Sequence, residues 1–75
     1  MTKHQLLHFL SRRGSADAFE VAEAFGLDYP AAAMALLRLS RQGLVIRHRE
    51  TDSGLYWYEL SDHGQARLDY FQHSE

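Results

Sequence analysis

Apolar and polar positions recur along the chain with two different periods, and the change from one to the other divides it into elements. Leu6, Leu7, Phe9 and Leu10 fall close to a 3.6-residue stripe, and Ser11-Arg12-Arg13-Gly14 follows with cations in a last turn and a glycine stop. A first helix is predicted over Thr2 to Arg12. Asp17 and Glu20 have the spacing of a capping box, in which Asp17 caps and Glu20 reaches back. Phe19, Val21, Ala22 and Phe25 supply the inner face of this second helix, which ends at Gly26, where a left-handed cap residue belongs. A third helix opens with Asp28 as N-cap and Pro30 in its first turn, runs to Gln42 and stops at Gly43. Its inward stripe is Ala32, Ala35, Leu36 and Leu39.

Beyond Gly43 the period falls to two. Val45 to Glu50 and Leu55 to Leu60 are rich in β-branched and aromatic residues, and Thr51-Asp52-Ser53-Gly54 between them has turn chemistry. Alternation in the second strand separates Tyr56, Tyr58 and Leu60 from Leu55, Trp57 and Glu59. Trp57 is expected to be exposed or to pack across the hairpin on Ile46. Ser61 caps a last helix over Asp62 to Gln72, with Gly64, Leu68 and Phe71 facing inward. Only Gly26, Leu27 and Asp28 separate the second and third helices, so the two cross steeply as a helix-turn-helix. The expected fold class is mainly α with a small β-hairpin, in the order helix-helix-helix-strand-strand-helix, as a single domain over residues 1–75.

Length and composition narrow the chemistry. The 75 residues suffice for one small core, and 45 % apolar with 24 % charged residues is the composition of an ordinary folded domain. Without cysteine there is no disulfide framework, thiolate metal site or cysteine nucleophile. No apolar run reaches the ~20 residues that span a bilayer, and the N-terminus leads into an amphipathic pattern instead of a signal-peptide core. A cytoplasmic, unprocessed protein without a membrane partner is expected. The net charge of -2 conceals a segregation: between Asp28 and Glu50 there is no acidic residue, while Arg38, Arg41, Arg47 and Arg49 lie there with His48. Asp17, Glu20, Glu23, Asp62 and Asp69 carry the compensating charge.

Gly26-Leu27-Asp28, the helix from Pro30 through Leu39, Arg41-Gln42-Gly43-Leu44-Val45, the turn at Gly54 and Tyr58-Glu59-Leu60-Ser61-Asp62-His63-Gly64 together resemble the winged helix-turn-helix transcription regulators of the MarR and PadR type. The resemblance covers about residues 17–72. It implies binding of double-stranded DNA, with the third helix in the major groove and the hairpin, or wing, along the backbone. A homodimer reading a two-fold site is the matching assembly. The DNA-binding residues so indicated are Tyr29, Ala31, Ala33, Met34, Arg38, Arg41, Arg47, His48, Arg49 and Thr51. Arg47, His48, Arg49 and Thr51 suit phosphate contacts, and Tyr29, Arg38 and Arg41 supply polar groups to the helix. Arg12 and Arg13 are further cations, at the end of the first helix.

In such regulators the positions of Ala33, Met34 and Leu37 commonly carry polar or basic side chains, and here they are apolar. Two readings follow. Small apolar residues let the helix approach closely, with Ala31, Ala33 and Met34 touching thymine methyl groups. Alternatively, Met34, Leu37, Ile46 and Trp57 form a protein interface on a winged-helix scaffold with little DNA affinity. Catalysis is not indicated, because no phosphate loop or nucleophile elbow is present and the carboxylates are scattered. His4 and His8 share a helix face at i, i+4, yet no third ligand accompanies them, so no metal, cofactor or small-molecule substrate is expected.

Overall fold

Short-range caps set the ends of the helices. In the computed structural model, which describes residues 1–73, helix α1 spans Lys3–Arg13. Thr2 Oγ1 accepts from the Gln5 amide at 3.1 Å and Gln5 Oε1 accepts from the Thr2 amide at 2.9 Å. Thr2 is therefore the cap and not the first helical residue. Helix α2 spans Ala18–Phe25, with the Asp17–Glu20 capping box closed at 2.8 and 3.0 Å. Gly26 ends it in the left-handed conformation, at φ 66°. Helix α3 spans Tyr29–Arg41, and Asp28 Oδ1 caps it by accepting from the Ala31 amide at 2.8 Å. Strands Val45–Arg49 and Tyr56–Leu60 and helix α4, Asp62–His73, complete the order. Positions 74 and 75 of the expected domain lie outside the described residues.

One element was not anticipated. Ala16–Asp17 forms a short strand, β1, so the hairpin strands are β2 (Val45–Arg49) and β3 (Tyr56–Leu60) in an antiparallel sheet of order β1-β3-β2. Ala16 sits opposite Tyr58 and Asp17 opposite Trp57. Two residues carry no readable period, and Asp17 also serves as the cap of α2. The third strand pins the wing to the start of α2 and gives β3 a partner on each side.

The core gathers Leu6, Leu7 and Leu10 from α1, Val21 from α2, Ala32, Leu36 and Leu39 from α3, Leu44, Tyr58 and, from α4, Leu68. Phe19 departs from its expected inward place and is 58 % exposed. The inward stripe of α2 is Ala18, Val21, Ala22 and Phe25, spaced i, i+3, i+4, i+7, and Phe19 lies one residue, about 100°, off it. Its ring meets Tyr29 instead, centroids 4.5 Å apart.

The joint between α3, the wing and α4 is made by Gly43, Leu44, Ser61 and Gly64. Ser61 Oγ donates to the Gly43 carbonyl at 2.6 Å and accepts from the Gly64 amide at 3.0 Å, while the Ser61 amide donates to the Leu44 carbonyl at 3.1 Å. A Cβ on Gly64 would fall inside the van der Waals envelope of the Leu44 carbonyl oxygen, a backbone atom that cannot swing away. Gly64→Ala is accordingly expected to lower stability by about 3 kcal/mol, and Ser61→Ala by about 1 kcal/mol. Urea unfolding reads both as a shifted midpoint at unchanged slope. A Gly64→Ala protein as stable as the parent would contradict the close approach.

Candidate nucleic-acid interface

The two faces of the wing are chemically different because successive side chains of a strand point to opposite sides. Val45 and Tyr58 turn into the core, 4 % and 5 % exposed. Arg47, which pairs with Tyr58, and Arg49, which pairs with Tyr56, therefore share the side that looks toward α3. Ile46, His48, Trp57 and Glu59 take the other. The basic triplet Arg47-His48-Arg49 is thus split, with two cations on one face and the imidazole on its back.

On the α3 side, Tyr29, Ala33, Met34 and Leu37 face Arg47, Tyr56 and Tyr58 across a groove of about 190 Å³. The Arg47 guanidinium lies over the Tyr56 ring, 4.3 Å from its centroid, and next to the Tyr58 hydroxyl. Burial pushes the Tyr58 phenol above its ordinary pKa, and the neighbouring Arg47 charge draws it part of the way back. The Arg49 guanidinium lies beside Gly54, which turns the chain with φ 71°. Thr51 is exposed in the turn at the wing tip.

Helical geometry distributes the α3 residues over three strips. Met34 and Arg41, seven apart, are both exposed and mark the centre of the outward face. Ala33 and Leu37 lie on the wing side, where they line the groove. Ala31 and Arg38 lie on the opposite flank, and Arg38 borders a second hollow with Lys3, Leu6 and Gln42 at the start of α1. Tyr29, 43 % exposed, is steadied by the Phe19 ring.

On the back of the wing, His48 Nε2 lies 2.8 Å from Glu59 Oε1, and the imidazole stacks on Trp57 with centroids 4.0 Å apart. Trp57, expected to be exposed or to pack on Ile46, has its ring stacked on His48, which the register sets opposite it, while Ile46 stands opposite Glu59. The four residues of the alternative protein interface do not share a surface: Met34 and Leu37 belong to the groove, Ile46 and Trp57 to the far side of the sheet. Two residues on this side escaped the sequence reading: Phe19, which packs against Tyr29, and Tyr56, which lines the groove. The alternation that placed Tyr56 with Tyr58 was signal enough for the latter. Phe19 carried only the pattern of a core residue. Among the described residues, no group of three or more His, Cys, Asp or Glu side chains is placed to hold a metal ion. Nor is any helix long and apolar enough to cross a membrane.

A MepR-like protein crystallised with pseudoligands superposes with a TM-score of 0.83 at 26 % identity, over 97 % of this chain and 61 % of that one. YusO of Bacillus subtilis gives 0.83 at 24 % identity, over 89 % and 48 %. A mutant of Escherichia coli MarR complexed with operator DNA gives 0.82 at 19 % identity, over 91 % and 49 %. The chain thus spans about half the length of most of these structures. A search of curated proteins finds no match. The sequence model of the MarR family matches residues 1–54, a stretch that runs from the cap of α1 to the wing turn and contains the helix-turn-helix. With the winged-helix topology and that match in agreement, the chain belongs to the MarR family.

Proposed function

We propose that this protein is a transcriptional regulator that binds double-stranded DNA, with α3 in the major groove and the wing on the backbone, and that it acts as a homodimer on a two-fold site. The observation that carries this reading is the placement of cations around α3. Arg38 and Arg41 occupy its last turns, Arg47 and Arg49 stand on the facing side of the wing, and no acidic residue intervenes between Asp28 and Glu50. Cations so arranged neutralise phosphates on both sides of a groove and hold the helix in register without reading sequence. Two superposed family members lend support, since E. coli MarR was crystallised with operator DNA and a Staphylococcus aureus MepR mutant with an oligodeoxyribonucleotide. Thr51 at the wing tip and Tyr29 at the start of α3 join the contact set as neutral hydrogen-bonding groups.

His48 is left outside that set. Its imidazole is turned to the back of the wing and engaged by Glu59 and Trp57. The role is non-enzymatic and carries a cytoplasmic location. Fluorescence anisotropy of a labelled mixed-sequence duplex across a salt series tests the proposal. Log affinity is expected to fall linearly with log salt, and Arg47→Ala with Arg49→Ala to flatten that slope by about 2. His48→Ala is expected to leave the slope unchanged. Absence of binding at low salt, or a slope untouched by the double arginine substitution, would overturn the reading.

A further inference from the structure

Between the Asp28 cap and Arg38, α3 carries a single polar side chain, Tyr29, and its ring packs at a tilt against Phe19. The remainder of the outward face in these turns is apolar: Ala31 is exposed, Met34 is 44 % exposed, and Ala33 and Leu37 are partly exposed. Such a face has no donors or acceptors to spend on base edges. Of the groups that base pairs display in the major groove, the C5 methyl of thymine is the one that apolar side chains contact favourably. We infer that the outward face of α3 recognises thymine methyl groups, with Met34 as the central contact and Ala31 and Ala33 permitting close approach. The inference rests on the DNA-binding reading and adds the source of sequence preference to it.

The division of labour is physical. Arg38 and Arg47 flank the apolar strip, Arg41 ends it, and the three supply affinity that is the same for every sequence. The strip supplies discrimination by contact area alone, and the flexible thioether of Met34 adapts to the position of a methyl group better than a branched side chain would. A·T pairs in the helix-facing steps are selected through their thymine, and polar base edges are met only through water.

Replacing thymine by deoxyuridine deletes the methyl groups and keeps every hydrogen-bonding group of the base pair. Affinities of a T-rich duplex and of its deoxyuridine counterpart, measured at the same salt, are expected to differ by about fourfold per methyl group contacted. Met34→Gln, at an exposed position, is expected to bring the ratio toward one with the salt slope retained. Equal affinities for the two duplexes would overturn the methyl reading and leave DNA binding standing. A ratio that survives Met34→Gln would assign the discrimination to another surface and overturn it as well. Binding of neither duplex at low salt would remove the DNA-binding reading itself, and this inference with it.

Discussion

Gly64 lets the first turn of α4 lie against the carbonyl of Leu44, and Ser61 ties the same two segments through both its amide and its hydroxyl. Three elements meet at that point. Gly43 and Leu44 leave α3, Val45 begins the wing, and Ser61 follows its second strand directly. The angle between α3 and the wing is therefore set by backbone contact, with no long side chain to adjust it. Any residue larger than glycine at position 64 would push α4 off the Leu44 carbonyl and unseat Leu68 from the core. The pairing of Gly-Leu-Val after a helix with Leu-Ser-x-x-Gly after a strand is in this light one structural unit, split along the sequence.

The interface inherits its geometry from that joint. With the wing fixed, Arg47 and Tyr56 stand opposite Ala33, Met34 and Leu37 across the groove, and Tyr58 closes its floor. Cation and aromatic ring are pre-assembled there, so little side-chain order remains to be lost when the face meets a ligand. The short strand β1 holds the outer edge of β3 and so protects the same arrangement from the other side. Charge and apolar surface have become spatially distinct: cations at the flanks of α3 and on the wing, apolar side chains along the centre of its opening turns.

Much of this was legible in the residues themselves. The helix boundaries were readable because Asp17, Asp28, Ser61 and the stop glycines act on neighbours a few residues away. The hairpin was readable from the change of period after Gly43. What the sequence concealed depended on contacts between distant segments. Strand β1 exists through its pairing with Tyr58 and Trp57, and the split of Arg47-His48-Arg49 mattered only once α3 was known to lie on one side of the sheet. Phe19 shows the same limit at a single residue. An aromatic residue in an amphipathic helix looked like core, while a 100° rotation places it beside Tyr29 on the surface.

Amide chemical-shift mapping of the labelled protein during titration with duplex DNA tests the central claim most directly, because the faces of the wing report separately. Shifts concentrated at Tyr29, at Ala31 to Met34, at Arg38, Arg41, Arg47 and Arg49, and at Thr51, with the Trp57 indole proton unmoved, are the predicted result. An unchanged spectrum at low salt, or shifts gathered around Ile46 and Trp57 on the back of the sheet, would contradict it.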